Sequence, residues 1–176
     1  MIESLIKTFN ALLSIAQTEA GNHRTAMTEV SLKQLVTDLM ELYKPLAESK
    51  GQTLEVINGD DSYIKGSRDL LAQSFGNLLE NALKYTPVGG RIQFNIISSE
   101  GKVEVIVSDT GPGIPDNEKI HVLEKFVRLE SARHTSGNGL GLSLVAAVAD
   151  FHKAELELRD ANPGLEVVQR FSKIDF

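Results

Sequence analysis

Apolar and polar residues follow a helical period over the first twenty residues of the chain. Apolar side chains recur every three or four positions, at Ile2, Leu5, Ile6, Phe9, Leu12, Leu13 and Ala16. This spacing predicts an amphipathic helix over residues 2–20, with an apolar seam wide enough for a partner helix. The segment AGNHRTAMTEVS then breaks the pattern with glycine and polar residues, which is typical of a linker. We therefore expect one unit in residues 1–22, a linker over residues 23–30 and a second unit over residues 31–176.

Helical and strand-like patterns alternate after the linker. Ser31 is a suitable N-cap for a helix that ends near Gly51, and TLEVI and SYIKG have the composition of short strands. A further helix is predicted over Asp69–Tyr85, stopped by Pro87. RIQFNIIS and KVEVIVSD predict an antiparallel hairpin. The apolar face of the helix after Ser31 consists of Leu32, Leu35, Val36, Leu39, Leu42, Tyr43 and Leu46.

The remainder of the chain begins with a long irregular stretch. Residues 110–138 are rich in glycine, proline and charge, with one weak helical piece around Asp116–Phe126, and we expect them to form a lid. A helix from Leu140 to Phe151 follows, and then the strands AELELR and LEVVQRF around the turn DANPG. Antiparallel hairpins with helices that can cover one face predict a two-layer α/β sandwich rather than a doubly wound parallel sheet.

Composition narrows the class of protein. The 176 residues are enough for one ordinary domain with its own core, and the net charge of −6 argues against a nucleic-acid surface. The chain has no cysteine, which excludes disulfides, and its four histidines lack the spacing of zinc ligands. No apolar run reaches the roughly 18 residues that a membrane span needs, so we expect a cytoplasmic protein.

Three glycines at alternate positions precede the helix near Leu140. In SGNGLGLSLVAAV, Gly137, Gly139 and Gly141 free the backbone amides at a helix start, where unpaired N–H groups and the helix dipole favour an anion such as phosphate. A Rossmann fingerprint would need glycine at the position of Leu142, and the chain contains no P-loop. Taken alone, the motif is more typical of a flexible hinge before a helix.

Two other motifs carry candidate ligands. In SDTGPGIP, Asp109 follows a strand, and its carboxylate could accept a hydrogen bond from an exocyclic amine; a plain turn is the alternative. In FGNLLENALKYTP, Asn77, Asn81 and Lys84 share one helix face, while Phe75, Leu78, Leu79, Ala82 and Leu83 form the buried side. An amide oxygen suits Mg²⁺ and a lysine suits phosphate, whereas the alternative is a solvated polar face.

In this order, NLLENALKYTP, DTGPGIP, FVRLESAR and GNGLGLSLV closely resemble the N, G1, F and G2 boxes of the histidine kinase catalytic and ATP-binding domain, in the Bergerat-fold superfamily. The resemblance covers roughly residues 30–171. It implies an α+β fold in which a mixed, mostly antiparallel sheet of about five strands carries three helices on one face.

The resemblance also implies a role for each motif residue. Asn81 would hold Mg²⁺ with support from Asn77, Lys84 would contact phosphate, and Tyr85 would lie beside the nucleoside. Asp109 would accept from the adenine amino group. The pocket wall would be formed by Gly111, Gly113 and Ile114, and Phe126 would latch the lid. Arg128 and Arg133 would be the candidates to reach the γ-phosphate. The backbone that binds the phosphates would be that of Gly137, Gly139, Leu140 and Gly141.

Asn77 separates two activities within the superfamily that the motifs resemble. Members that hydrolyse ATP carry a glutamate four residues before the magnesium asparagine, where it can activate water as a general base. Asn77 occupies that position here and cannot act as such a base, which favours transfer of the γ-phosphoryl group to histidine and then to a response-regulator aspartate. An ATP hydrolase and a nucleotide-binding regulatory module without catalysis are the alternatives.

The phosphoacceptor motif of the family has no match in this chain. His23 lies in the linker and is followed by Arg24, unlike the acceptor histidine. Residues 2–20 instead resemble the end of the second dimerisation helix, so we expect a kinase fragment that binds nucleotide without phosphorylating itself. Its expected partners are the dimerisation and phosphoacceptor domain of the parent, a receiver domain and, weakly, a second copy through helix 2–20. A smaller departure is His152-Lys153-Ala154, where the family commonly has His-Gly-Gly.

Overall fold

The computed structural model describes residues 26–123 and 141–174, together with five helical residues nearer the N-terminus, Ile6, Phe9, Asn10, Leu13 and Ala16. Ile6, Phe9 and Leu13 are 52%, 63% and 43% exposed. Their three- and four-residue spacing places these apolar side chains on one side of the helix. Within the described ranges, no helix is both long and apolar enough to cross a bilayer.

Helices and strands follow the predicted order with one additional strand. The elements are β1 (Thr28–Ser31), α1 (Leu32–Ser49), β2 (Thr53–Gly59), β3 (Tyr63–Gly66), α2 (Arg68–Tyr85), β4 (Arg91–Ser99), β5 (Lys102–Asp109), a 3₁₀ helix (His121–Leu123), α3 (Gly141–Phe151), β6 (Glu155–Asp160) and β7 (Leu165–Ser172). Ser31 caps α1 as predicted, because its hydroxyl accepts from the Gln34 backbone N–H at 3.2 Å.

Five strands form one mixed sheet in the order β2, β4, β5, β7, β6. β2 runs parallel to β4, and every other neighbouring pair is antiparallel. Register pairs such as Phe94 with Val107 and Val105 with Gln169 align the buried side chains on one face. This confirms the predicted mixed sheet of an α+β sandwich.

Strand β1 includes residues that the sequence pattern assigns to the linker. Thr28–Ser31 pairs with β3 in a small antiparallel sheet, and Val30 is only 3% exposed. A strand of four residues is too short to show a clear alternation of apolar and polar positions. Residues 28–30, which the pattern assigned to the linker, instead pair with β3.

Helices α1, α2 and α3 all contribute to a single core on one face of the sheet. At its centre, the Phe75 ring of α2 meets the rings of Phe94 and Phe171 edge-on, with centroids 5.8 and 6.3 Å away. Such edge-to-face pairs add to the free energy gained by burying the rings. The predicted buried side of α2 is confirmed, since Phe75, Leu78, Leu79, Ala82 and Leu83 are all buried.

The opposite face of the sheet is mostly polar, although Ile106 and Val168, which pair across β5 and β7, are buried apolar residues on it. Arg170 on β7 forms ion pairs with Glu104 on β5 and with Glu157 on β6. Arg159 also pairs with Glu157, and these two guanidinium groups lower the pKa of Glu157 to about 2. A sheet face covered by charged side chains needs no second helical layer, which accounts for two layers.

The apolar face predicted for α1 is wider than the face that packs. Leu42 and Leu46 are 61% and 47% exposed, although the pattern placed them with the buried leucines. They line a surface groove of about 400 Å³ with the side chains of Tyr43, Glu80 and Leu83. The sheet and α2 cover only one side of α1, so the outer edge of its apolar stripe stays in solvent.

Candidate functional site

Helix α2 carries the polar stripe predicted from FGNLLENALKYTP. Ser67 caps the helix, so α2 begins one residue before the predicted Asp69. Asn77, Asn81 and Lys84 are partly exposed, whereas the residues on the opposite side of the helix are buried. The 3.6-residue helical period thus turns these polar groups away from the core.

Asp109 is the last residue of β5, and it lies partly buried at the mouth of the site. The Gly111 backbone N–H donates to its Oδ1 at 2.8 Å, and the Leu165 backbone N–H also donates to the carboxylate. Burial raises the pKa of Asp109, while these two backbone donors act in the opposite direction. A fixed, partly desolvated carboxylate is well suited to accept one hydrogen bond from a ligand.

The loop after Asp109 is wedged between α2 and the turn before β7. A Cβ on Gly111 would lie 2.9 Å from the Tyr85 carbonyl oxygen, at the end of α2. Gly113 has a φ of +72°, and a Cβ there would lie 2.9 Å from the Gly164 carbonyl oxygen. Side chains at these two positions would push the loop away from its neighbours, so both glycines are needed for close approach.

Sequence reasoning missed the contribution of Gly164 and Leu165 to the site. Gly164 has a φ of +108°, and a Cβ there would lie 1.7 Å from the Asp109 carbonyl oxygen. Leu165 provides the second backbone donor to the Asp109 carboxylate. The only available signal was the glycine that ends the turn DANPG, and nothing in that turn indicates which strand it contacts.

The start of α3 lies against Asn81. A Cβ on Gly141 would be 3.2 Å from Nδ2 and 3.4 Å from Oδ1 of Asn81. The first turn of α3, with its unpaired backbone N–H groups, therefore stands beside the amide predicted to hold a cation. Because Tyr85 on the same helix touches Gly111, α2 brings the three motifs together.

Lys84 and Tyr85 lie at the C-terminal end of α2. The Lys84 ammonium is 4.8 Å from the centroid of the Tyr85 ring, within the range of a cation–π contact. Gln52, which is 6% exposed, holds this end of the helix because its Nε2 donates to the carbonyls of Leu83 and Thr86. Lys84 and Tyr85 are thus anchored next to the loop of Asp109.

The remaining predicted lid residues are partly described. Ile114 is half-buried and lines a cavity of about 380 Å³ with residues 112–116 and the turn of Gly164. Over residues 116–123 the chain forms turns and a 3₁₀ helix in place of the predicted weak helix, and Lys119 pairs with Asp116 and Asp160. Phe126, Arg128, Arg133, Gly137, Gly139 and Leu140 lie outside the described residues.

The amide oxygen available beside the start of α3 suits a hard cation that is also bound by phosphate. The described residues contain no group of three or more His, Asp or Glu side chains that could hold a metal by themselves. Asn81 offers an amide oxygen beside the start of α3. Mg²⁺ is commonly held by one or two protein oxygens together with phosphate oxygens and water, which this arrangement allows.

Comparison with known proteins places the fold and its motifs in one family. Residues 66–173 match the model of the histidine kinase-, DNA gyrase B- and HSP90-like ATPases. This match covers more than half of the chain and includes α2, the loop of Asp109 and α3. The chain therefore belongs to this ATPase family.

Individual relatives narrow the membership to sensor kinases. The chain is 34% identical over 161 residues to the sensor protein DivL of Caulobacter vibrioides, covering 91% of this chain and 20% of that protein. It is 35% identical over 147 residues to the adaptive-response sensory kinase SasA of a Synechococcus strain, covering 82% and 39%. It thus spans less than half of these relatives, and it corresponds to their catalytic and ATP-binding domain.

Solved structures agree with this placement. The mycobacterial sensor histidine kinase MprB superimposes with a TM-score of 0.75 at 27% identity, covering 85% of this chain and all of that one. Full-length ShkA, solved in complex with AMPPNP, superimposes with a TM-score of 0.78 at 25% identity, covering 98% of this chain and 37% of that one. The resemblance to histidine kinase catalytic domains is thereby confirmed.

Proposed function

We propose that this chain binds MgATP and donates the γ-phosphoryl group to a histidine that it does not itself provide, from which a response-regulator aspartate receives it. The supporting observation is that α2 brings Asn81 to the start of α3 and Tyr85 to the loop of Asp109. The same helix carries Asn77 where hydrolysing members of the superfamily have a general base. In this proposal these groups would hold the nucleotide, and the position of Asn77 offers no carboxylate to activate water.

Each part of the nucleotide would meet a different element. The Asp109 carboxylate would accept a hydrogen bond from the adenine amino group, and Gly111, Gly113 and Ile114 would line the pocket. Backbone amides at Gly137, Gly139, Leu140 and Gly141 would face the phosphates. Asn81, supported by Asn77, would hold Mg²⁺, which offsets negative charge on the phosphates when bound.

Side chains around the phosphates would position and stabilise the transferred group. The Lys84 ammonium would neutralise phosphate charge, and Tyr85 would lie beside the nucleoside. Phe126 would latch the lid. Arg128 and Arg133 would reach the γ-phosphoryl group, because a planar, permanently charged guanidinium can stabilise charge that develops during transfer. In this proposal these residues supply orientation and electrostatics, and the nucleophile arrives from another domain.

Transfer through a histidine outside this chain would require two partner domains. The dimerisation and phosphoacceptor domain of the parent kinase would present the histidine, and a receiver domain would take the phosphoryl group. The exposed side chains of Ile6, Phe9 and Leu13 would support weak self-association. Use of ATP would place the domain in the cytoplasm, whether or not the parent protein is attached to a membrane.

Radiolabelling tests the transfer. The purified chain is incubated with γ-labelled ATP and Mg²⁺, alone and with a separately produced helical hairpin that carries an acceptor histidine of the family type. We expect acid-labile, base-stable label on the hairpin only. Label on this chain would contradict the absence of an acceptor, and steady release of phosphate without either protein being labelled would identify an ATP hydrolase instead.

Binding is measured separately from transfer. Calorimetric titration with a non-hydrolysable ATP analogue and Mg²⁺ should show saturable binding by this chain. Binding without any label on the hairpin would favour the nucleotide-binding regulatory module. Absence of binding would overturn the proposed function at its first step.

A further inference from the structure

His152 lies where the end of α3 meets the start of α2. Its ring Nδ1 is 2.7 Å from the Val148 carbonyl oxygen, in the last turn of α3. A carbonyl oxygen can only accept, so Nδ1 carries the ring proton. Nε2 is then free to accept, and the Ser67 backbone N–H donates to it at 3.0 Å.

Ser67 is the N-cap residue immediately before α2. Its hydroxyl accepts from the Leu70 backbone N–H and caps the helix, while its own N–H donates to His152. One imidazole therefore connects a carbonyl of α3 to the capping residue of α2. Neither Asn81 nor Asp109 takes part in this connection.

The ring is packed tightly on several sides. It meets the Phe151 and Phe171 rings edge-on, with centroids 5.1 and 6.2 Å away. A Cβ on Gly66 would lie 3.0 Å from Cδ2 and Nε2 of the ring. A side chain held in this way transmits small shifts of one helix to the other.

The two helices also meet at their other ends. Gly141, which begins α3, contacts Asn81, whereas His152, just after α3, contacts Ser67. The helices are therefore antiparallel, and α3 extends roughly 16 Å between its two contacts with α2, at 1.5 Å per residue. The contact at His152 limits how far α3 can slide along α2, and so sets the position of Gly141 relative to Asn81.

We propose that His152 is a positioning residue for nucleotide binding, which keeps the helix start at Gly141 in register with Asn81 through its bond to Ser67. This proposal depends on the proposed function, because it assumes that phosphate and Mg²⁺ bind between these two residues. His152 itself touches no part of the nucleotide.

The role of the imidazole as an acceptor makes the contact sensitive to pH. Burial lowers the pKa of His152, and the Val148 carbonyl opposes that shift. The ring is therefore neutral at pH 8, whereas below its lowered pKa it carries a second N–H that points at the Ser67 N–H. Two facing donors cannot form a hydrogen bond, so the contact is lost at low pH.

The charged residues near the ring in sequence are all solvent-facing. Asp150 and Lys153 flank it on its own element, and Lys65 and Arg68 flank Gly66 and Ser67; these four side chains are exposed. Beyond β7, Lys173 is half-buried and pairs with Ile64 in a β-bridge. Among the described residues, the hydrogen bonds and ring contacts of His152 are with backbone and aromatic groups.

Two substitutions test the role. His152→Gln keeps an oxygen acceptor near the position of Nε2 and does not titrate, whereas His152→Phe keeps an aromatic ring, somewhat larger than imidazole, and removes the acceptor. Affinity for the Mg²⁺ complex of a non-hydrolysable ATP analogue is measured by calorimetry on the full chain at pH 8.0, where the imidazole is neutral. Circular dichroism and denaturant unfolding show the folded fraction of every sample.

At pH 8.0 we expect His152→Phe to bind about three- to tenfold more weakly, and His152→Gln to stay within about twofold of the unchanged protein. Val103→Ala, which creates a cavity in the core on β5, is the control for lost stability and should retain affinity while folded.

Each outcome has a defined meaning. Equal affinity of folded His152→Phe and the unchanged protein at pH 8.0 would overturn the proposal, as would an equal loss of affinity in folded His152→Gln and His152→Phe. A comparable loss of affinity in Val103→Ala would show that stability alone explains the effect, which also overturns it. If the unchanged protein does not bind at pH 8.0, the failure belongs to the proposed function.

Discussion

At the scale of a single residue, the partly buried carboxylate of Asp109 lowers the stability of the domain and also provides an acceptor for a ligand. Burial raises the pKa of its carboxyl group above the ordinary value of 3.8. The folded domain thus holds this proton more tightly than the unfolded chain, so the free energy of unfolding falls as pH rises from the ordinary pKa to the raised one. At neutral pH the charge destabilises the domain, and the benefit is a carboxylate that can accept from a ligand.

Asp109→Asn should therefore separate stability from binding. We expect a melting temperature at pH 7 that is equal to or higher than that of the unchanged protein. Affinity for the Mg²⁺ complex of a non-hydrolysable ATP analogue should fall at least about tenfold, or ~1.4 kcal/mol, because an amide offers the adenine amino group a poorer acceptor. Asp61→Asn, at an exposed position, is the matched control. Unchanged affinity in Asp109→Asn would remove this residue from the adenine site.

Gly164 is needed for both its conformation and its lack of a side chain. Its φ is +108°, and a Cβ would lie 1.7 Å from the Asp109 carbonyl oxygen. Gly101 has a φ of +70°, and a Cβ there would meet nothing within 4 Å, so this position isolates the conformational contribution.

Alanine at these two positions should have different effects. Gly101→Ala should lower the free energy of unfolding by about 1 kcal/mol, the usual penalty for a left-handed backbone. Gly164→Ala should lower it by about 1–3 kcal/mol more, since the loop of Asp109 must move to relieve the clash. Urea unfolding measures both, and equal losses would show that the turn adapts without disturbing that loop.

At the scale of elements, α1 supports α2 directly behind its two asparagines. The Tyr43 hydroxyl donates to Glu80 Oε1 at 3.1 Å, and a Cβ on Gly76 would lie 3.0 Å from that hydroxyl oxygen. Gly76 and Glu80 immediately precede Asn77 and Asn81. Burial, and then the charge of Glu80, raise the pKa of Tyr43, so the hydroxyl remains a donor over the usual pH range.

A double-mutant cycle tests this support. Alanine in place of glycine inside a helix normally stabilises by about 1 kcal/mol, but in the unchanged protein Gly76→Ala should bring no gain because of the Tyr43 hydroxyl. In a Tyr43→Phe background the next ring atom is 3.8 Å away, so the same substitution should stabilise by about 1 kcal/mol. Identical effects of Gly76→Ala in both backgrounds, measured by denaturant unfolding, would show that the hydroxyl does not restrict this position.

Helices and strands with a clear periodic pattern of apolar residues were predictable from sequence, whereas contacts between distant segments were not. The helical spacing of α2 correctly indicated which of its residues are buried, and the hairpin of β4 and β5 followed from their alternation. Asp109 could be singled out because a strand precedes it, but its partners Gly164 and Leu165 lie more than fifty residues later. Their contact arises only when β7 pairs with β5, which local pattern does not specify.

The exposure of Leu42 and Leu46 has a related cause. A periodic apolar stripe shows that a helix has an apolar side, but not how much of that side its neighbours cover. Likewise, Asn77, Asn81 and Lys84 could be placed on one face from spacing alone, whereas the approach of Gly141 to Asn81 depends on how α3 packs. The sequence therefore indicates which side chains are available, and the packing of α2 and α3 brings them together.

At the scale of the whole molecule, the described core begins at β1. Val30 is 3% exposed and pairs with Ile64 of β3, and the next residue, Ser31, caps α1. The described residues of the N-terminal helix instead expose Ile6, Phe9 and Leu13 to solvent. The boundary of the stable domain should thus lie before Thr28 and not at residue 31.

Two truncated chains test this boundary. A chain of residues 26–176 should unfold at the same denaturant concentration as the full chain, because the described residues of the N-terminal helix are exposed. A chain of residues 32–176 should be about 2–4 kcal/mol less stable, since it loses the burial of Val30, the pairing with β3 and the cap of α1. Ser31→Ala in the longer chain isolates the cap, which should account for about 1 kcal/mol of the loss. Equal stability of the two truncated chains would place the boundary at residue 31 and make β1 dispensable for folding.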